Sequence, residues 1–210
     1  MERGSCLRYW SYYTDGSLSI DGRHINLTSK DIEQIKTFAR ILNINNKIGL
    51  KYGSYTREKT YYQIQFGNVK FYKFLLEIGL TPHKTKTLGQ LNIPDKYFID
   101  FLRGHLDGDG YTYSYWDKRW KNSFMLYTGF LSASKSHLDW IKSKINELYF
   151  IEGALRFQGK STYSLKYAKK DSILLLNKMC YKSNLPCLKR KWFKIEQSLG
   201  IIEKQAGVLK

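Results

Sequence analysis

The sequence Phe101-Leu102-Arg103-Gly104-His105-Leu106-Asp107-Gly108-Asp109-Gly110 decides the fold of this chain. Pro94 and Asp95 suit the start of a helix, and apolar residues then recur at helical spacing as far as Leu106. Asp107 and Asp109 therefore fall on the last helical turn or just after it, where unpaired carbonyl groups carry partial negative charge. Carboxylates at such an end favour a divalent cation with oxygen ligands. A plain Asp-Gly turn is the alternative interpretation.

A degraded copy of the same pattern lies near the N-terminus, at Tyr9-Trp10-Ser11-Tyr12-Tyr13-Thr14-Asp15-Gly16-Ser17. The segments that follow the two copies also match in order: residues 28–36 correspond to 133–142, and residues 80–86 correspond to 185–191. An internal duplication repeats order as well as composition. We therefore expect two lobes of one architecture, a first over residues 1–90 with its motif at 9–17, and a second over residues 91–210 with its motif at 102–110.

Each lobe is predicted to contain a motif helix, a strand hairpin, a helix, a second strand pair and a further helix. The hairpins are expected at 18–27, with Asp21-Gly22 as the turn, and at 111–132, with a tip at 118–122. The second strand pairs are expected at 51–66 and 154–167, and the covering helices at 69–78 and 171–181. This order predicts an α+β fold with one antiparallel sheet in each lobe.

The charge of the chain predicts a polyanionic partner. Lys and Arg number 35 against 18 Asp and Glu, which gives a formal net charge of +17, more than solubility requires. The basic residues are spread among strands and loops and are not gathered on one amphipathic helix, so a membrane surface is the weaker candidate. No apolar run resembles a membrane span or secretory signal, and the odd count of three cysteines favours a reducing, intracellular compartment.

Several basic and amide residues are predicted to share one face of each sheet, because side chains at alternate strand positions point the same way. Such a face offers donors and acceptors to base edges, while lysines at its margin meet phosphates. A solvated sheet face is the alternative for any single residue. The predicted nucleic-acid contacts are Lys51, Arg57, Lys59, Tyr61, Gln63, Tyr113, Tyr115, Arg119, Arg156, Gln158, Lys160, Lys84, Lys86, Lys189 and Lys191.

With these motifs, the chain resembles a LAGLIDADG homing endonuclease of the single-chain, two-motif kind. Residues 93–110 are similar to the second motif of that family with its lead-in, and residues 188–192 are similar to a family ending. The resemblance implies two pseudo-symmetric αββαββα lobes joined through paired motif helices, each with a saddle-shaped antiparallel sheet that lies in the DNA major groove. It also implies a monomer that cuts both strands of a long, asymmetric double-stranded DNA target.

The resemblance further implies where the chemistry takes place. The last acidic residue of each motif, Asp15 and Asp109, would bind Mg²⁺ or another divalent cation such as Mn²⁺, with Thr14 and Gly108 beside them. Two further catalytic residues, Gln65 and Lys166, would order water near the scissile phosphates.

The first motif departs from the family pattern, since Trp10 stands where the second copy has Gly104 and Tyr13 stands where it has Asp107. A nickase is therefore one alternative. Another is a nucleic-acid binder such as an intron maturase, which would bind structured RNA without cutting it. A histidine-metal nuclease is disfavoured, because the four histidines are not clustered in sequence. The sequence leaves the host open among an organelle, a phage-infected cell and a bacterial cytoplasm.

Overall fold

A computed structural model describes residues 16–52, 60–120, 123–182 and 185–208 of the chain. The chain divides into two compact units, Met1–Gly108 and Asp109–Lys210. The motif helix of the second sequence repeat is thus part of the first compact unit. The predicted lobes, 1–90 and 91–210, follow the sequence repeat instead, and they stay a prediction. The predicted first motif helix, ending near Asp15, lies outside the described residues.

The first unit contains a four-stranded antiparallel sheet in the order β1-β2-β4-β3. The predicted 18–27 hairpin is confirmed: the Asp21 carboxylate accepts hydrogen bonds from the backbone N–H groups of Arg23 and His24, and Gly22 takes a φ of +77° that favours glycine. The elements, in chain order, are β1 (Gly16–Leu18), β2 (His24–Ser29), α1 (Ile32–Leu42), β3 (Gly49–Tyr52), β4 (Thr60–Gly67), α2 (Val69–Glu77) and α3 (Asp95–Asp107).

The second unit repeats this arrangement, with a four-stranded antiparallel sheet in the order β5-β6-β8-β7. Its elements are β5 (Gly110–Trp116), β6 (Phe124–Ser132), α4 (Lys135–Tyr149), β7 (Ala154–Gly159), β8 (Thr162–Tyr167), α5 (Lys169–Met179) and α6 (Lys189–Val208). The equal strand orders confirm the predicted α+β fold with one antiparallel sheet in each repeat.

One face of each sheet forms the core of its unit, because apolar residues alternate along the strands and meet the apolar sides of the helices. In the first sheet these residues are Ile25, Leu27, Ile64 and Phe66, and in the second they are Leu126, Phe130, Leu165 and Tyr167. The opposite face of each sheet carries polar and aromatic side chains, most of them exposed or half-buried. That face is the one available to a ligand.

The motif helix α3 ends at Asp107, as its apolar spacing predicts, with Pro94 at the N-cap and Gly108 at the C-cap. Phe98 and every residue from Asp100 to Asp107 are buried. Arg103 and Asp100 form an ion pair of 2.6 Å inside this environment. A buried charge is tolerated there because its partner lies one turn away on the same helix.

In the part of the chain that the structure describes, no helix has the length and apolar character to cross a membrane.

Candidate nucleic-acid interface and metal-binding aspartate

Asp109 lies at the junction between α3 and β5 and is an exposed residue. The Gly108 N–H still donates to Gly104 O, 3.1 Å away, so the helix closes just before this junction. Asp109 O accepts from Leu131 N at 3.1 Å, which fixes the Asp109 backbone to the second sheet. Asp107 is buried, whereas Asp109 is exposed. Of the two motif carboxylates, Asp109 is therefore the one that an ion and a phosphate can reach.

A lysine binds the backbone one residue beyond each motif aspartate. Lys191 Nζ donates to Gly110 O at 2.8 Å, in the residue after Asp109. Lys84 Nζ donates to Gly16 O, in the residue after Asp15. The two lysines come from the corresponding segments 80–86 and 185–191, two positions out of register with each other, and both are half-buried. This shared contact puts an ammonium group close to the start of each first strand, a role that the sequence predictions, which placed both lysines among the nucleic-acid contacts, did not include.

The donor chemistry at Asp109 fits a small, hard cation. In the described ranges, no group of three or more His, Cys, Asp and Glu side chains could together hold a metal ion. An ion at Asp109 would thus take no more than two such side chains from this part of the chain, with Gly108 next to Asp109. Mg²⁺ is commonly bound by one or two carboxylates, keeping several waters and taking substrate phosphates as further ligands. Asp15 and Thr14, predicted for the other site, lie outside the described residues.

Amide and hydroxyl side chains dominate the open face of the first sheet. The strand register sets Ser17, Asn26 and Gln65 in one row across β1, β2 and β4. A second row pairs Thr28 with Gln63, and a third pairs Tyr61 with Lys51. The register thus brings the predicted contacts Lys51, Tyr61 and Gln63 onto one face with Gln65, which was predicted as a catalytic residue. Arg57 and Lys59 lie outside the described residues.

Tyrosines dominate the open face of the second sheet. We call Tyr111, Tyr113, Tyr115 and Tyr127 the tyrosine row. Along β5, neighbouring ring centroids are 6.1 and 6.3 Å apart with interplanar angles of 21° and 5°. Tyr127, opposite Tyr113 on β6, stacks on it at 5.0 Å. Tyr113 and Tyr115 were predicted, whereas Tyr111 and Tyr127 were missed, although Tyr111 continues the alternation along β5.

Lys166 lies inside the tyrosine row. Its Nζ donates to the Tyr113 hydroxyl at 3.0 Å and lies 4.4 Å from the centroid of the Tyr127 ring. The hydrogen bond to Tyr113 raises the pKa of Lys166, so the side chain carries its charge at neutral pH. In the second sheet, Lys166 occupies the row of Gly129 and Tyr111, which matches the row of Gln65 in the first. The water-ordering role of Gln65 and Lys166 stays a prediction.

The remaining predicted contacts lie at turns and margins of the second unit. Arg119, at the tip of the β5–β6 hairpin, donates to both carboxylate oxygens of Asp117 at 3.0 and 2.7 Å and holds the pKa of Asp117 at about 2. Lys160 and Ser161 form a two-residue turn with φ of 49° and 59°, beside an open groove of about 450 Å³. Exposed side chains at these margins are Arg119, Arg156, Gln158, Lys160 and Lys189. Lys86, in the first unit, is exposed as well.

Solved structures of LAGLIDADG proteins share this architecture. A structure of mesophilic variants of the homing endonuclease I-DmoI matches with a TM-score of 0.58 at 18% identity, covering 93% of this chain and 100% of that chain. The homing endonuclease I-WcaI, bound to its DNA recognition sequence, matches with a TM-score of 0.57 at 13% identity over 82% and 80% of the two chains. The N-terminal LAGLIDADG domain of DUF199/WhiA matches with a TM-score of 0.56 at 13% identity over 88% and 85%.

I-DmoI has also been solved in complex with DNA and Mn, and with DNA and Ca. No protein-family model matches the sequence, and comparison with curated proteins finds no match. At these identities the likeness establishes the LAGLIDADG fold of this chain.

Proposed function

We propose that this protein is a site-specific DNA endonuclease that hydrolyses phosphodiester bonds with Mg²⁺ or another divalent cation. The observation that carries the proposal is the exposed carboxylate of Asp109, fixed by its backbone at the edge of an open sheet face rich in hydrogen-bonding side chains. A net charge of +17 supports a polyanionic substrate. The fold likeness to DNA-bound homing endonucleases supports DNA as that polymer.

In this proposal, different residues bind the cation, fix the backbone beside it and select the DNA sequence. Asp109 would hold the cation, as would Asp15 in the first motif. A divalent ion bound there supplies activated water and neutralises charge at the phosphate. Lys191 fixes the backbone next to Asp109 and adds positive charge near it. The two open sheet faces select the sequence, the first through amides and the second through tyrosines. A single chain carries both motifs, so we infer that it acts as a monomer.

The proposal is tested on supercoiled plasmids that carry a site selected by binding from a library of randomised duplexes in EDTA. With Mg²⁺, the unchanged protein is expected to give linear product, and EDTA is expected to abolish it. Asp109→Asn should slow cleavage of one strand by about a thousandfold, because the ion loses its carboxylate, while duplex binding stays. Tight binding without cleavage in Mg²⁺ or Mn²⁺ would contradict the endonuclease proposal.

Comparing Asp15→Asn with Asp109→Asn tests the degenerate first motif. If both motifs are active, each variant yields open-circular plasmid, and the two variants nick opposite strands. If Asp15→Asn leaves linear product unchanged, the first motif has no catalytic part. If the unchanged protein yields open-circular product alone, the enzyme is a nickase.

A DNA or RNA binder without nuclease activity is the second candidate. The likeness to the N-terminal LAGLIDADG domain of DUF199/WhiA supports keeping it, since that domain matches about as well as the homing endonucleases. The plasmid assay separates the two candidates. Competition between the selected duplex and structured RNA for the EDTA-treated protein then identifies the polymer that it binds.

A further inference from the structure

The tyrosine row and Lys166 form one connected group on the open face of the second sheet. The Tyr111 ring crosses β6 at Gly129, where a side chain would collide with it, and its hydroxyl reaches Ser164 Oγ at 2.9 Å. Lys166 bonds to the Tyr113 hydroxyl, and Tyr127 stacks on Tyr113. Stacked rings with a shared cation have few alternative rotamers. The group is thus preorganised before any ligand binds.

The stacking of Tyr127 on Tyr113 leaves no room for a base between these two rings. A base inserted between two rings needs planes about 6.8 Å apart, twice the 3.4 Å stacking distance of bases. The centroids of Tyr113 and Tyr127 are 5.0 Å apart, well short of that separation. The row therefore offers its hydroxyl edges to a ligand, which suits the groove of a duplex better than stacking on a single strand.

The spacing also fits the repeat of a duplex. Successive rings along β5 are 6.1 and 6.3 Å apart, close to the roughly 6.8 Å that two base-pair steps span. Tyr113 and Tyr115 are 41% and 43% exposed, so their outer edges are accessible. A strand lying along the major groove would therefore present one hydroxyl to about every second base pair.

Lys166 sets the direction of the hydrogen bond that Tyr113 can make. An ammonium group donates hydrogen bonds and accepts none, so the Tyr113 oxygen is the acceptor in this pair. Among the residues that the structure describes, Lys166 is the one hydrogen-bond partner of the Tyr113 hydroxyl. The phenolic hydrogen then points away from Lys166 and is left to donate to a ligand.

We propose that Tyr113, with its hydroxyl polarised by Lys166, reads a hydrogen-bond acceptor on one base in the major groove and excludes cytosine at that position. Guanine, adenine and thymine each present an acceptor there, whereas cytosine presents the N4 amino donor. Lys166 acts through Tyr113 and is a positioning residue for specificity. The inference rests on the proposed function, because it requires that this face contacts duplex DNA.

The test is selection of bound sequences from a library of randomised duplexes, with EDTA present so that cleavage is not needed. The unchanged protein should show one position where cytosine is depleted. Tyr113→Phe keeps the ring and removes the donor, so the cytosine fraction at that position should rise about three- to tenfold. Lys166→Met should relax the same position, because the freed phenol can then accept from cytosine. The double variant should relax the position no further than either single variant.

Tyr149→Phe and Lys178→Met are matched controls. Lys178 Nζ lies 5.0 Å from the Tyr149 ring, so this pair on α4 and α5 has similar chemistry away from the open face. Neither control should change the selected sequence. Thermal unfolding of all variants verifies that the proteins compared are folded.

Two results would overturn the inference while leaving the endonuclease proposal standing. In the first, the protein selects and cleaves a site in which cytosine is depleted at no position, or in which both variants leave that depletion unchanged. In the second, the variants weaken binding equally at all sequences, which would make the pair a phosphate contact. Failure to select any duplex would overturn both the DNA-binding proposal and this inference.

Discussion

At the scale of single residues, Lys191 and Lys84 are the least expected members of the site. Each donates to the carbonyl of the residue after a motif aspartate, and each is half-buried, unlike the exposed Lys86 and Lys189 nearby. A lysine that only contacts phosphates would not need this intramolecular bond. We therefore propose that Lys191 fixes the backbone beside Asp109 and adds positive charge near it, and Lys84 makes the corresponding contact at Gly16.

Lys191→Met is expected to slow single-turnover cleavage by about a hundredfold, because it removes a preorganised positive charge and releases the Gly110 carbonyl. The dissociation constant for the duplex should change by about threefold or less, since one phosphate contact at most is lost. Quench-flow rates and a binding titration in EDTA measure the two quantities separately. Lys204→Met, at an exposed position of the same helix, is the control and should cleave normally.

A purely structural role for Lys191 predicts a different pattern. Binding, cleavage and the unfolding midpoint would then fall together, and excess DNA would restore the rate. That outcome would remove Lys191 from the catalytic proposal.

At the scale of elements, Gly129 on β6 leaves room for the Tyr111 ring of β5 to cross β6 and reach Ser164 on β8. A Cβ there would lie 2.7 Å from Tyr111 Cε1, well inside contact distance. Gly129→Ala should therefore destabilise the protein by about 1–3 kcal/mol, because the Tyr111 ring must move and lose its bond to Ser164. Urea unfolding followed by circular dichroism measures the loss.

The matched variant for this prediction is Gly129→Ala combined with Tyr111→Ala, which removes the colliding ring. The double variant should be destabilised less than the sum of its two single variants, with a coupling of at least about 0.5 kcal/mol. Additive losses would mean that the Tyr111 ring does not limit the size of the side chain that β6 accepts at position 129.

The order of the elements was predictable because hydrophobic periodicity is local. The 18–27 hairpin, the end of α3 at Asp107 and the second strand pairs follow from residues within a few positions of one another. Side-chain partners were not predictable in the same way. Tyr127 faces Tyr113 only because of the length of the β5–β6 loop, and Lys191 meets Gly110 across 81 residues of sequence.

The internal repeat, unlike the composition, indicates the two segments that contain the lysines whose backbone contacts were not predicted. Residues 80–86 and 185–191 correspond in order. Each of these two segments contains the lysine that binds the backbone one residue after a motif aspartate. Comparing these segments position by position pairs Lys84 with Lys189 and Lys86 with Lys191, so it directs attention to the two segments without separating Lys84 and Lys191 from their basic neighbours. The pairing of Lys166 with Tyr113 has no such counterpart, because Gln65 takes its place in the first sheet.

At the scale of the whole molecule, the net charge of +17 should dominate the affinity for DNA. Binding to a duplex releases counterions in proportion to the phosphates neutralised, with a slope of roughly −0.9 for each contact. If about eight phosphates are contacted, the logarithm of the binding constant should fall with the logarithm of salt concentration at a slope near −7. Fluorescence anisotropy of a labelled duplex in EDTA, titrated at several KCl concentrations, measures this slope.

Two variants test whether basic residues at the margins of the sheets produce the salt dependence of the binding constant. Lys189→Met removes an exposed cation at the start of α6 and should make the slope shallower by about 0.9 at every sequence tested. Tyr113→Phe removes no charge and should leave the slope unchanged while it alters base preference. A measured slope shallower than about −3 would contradict an extended basic contact, since the charge of the chain would then serve something other than holding a long duplex.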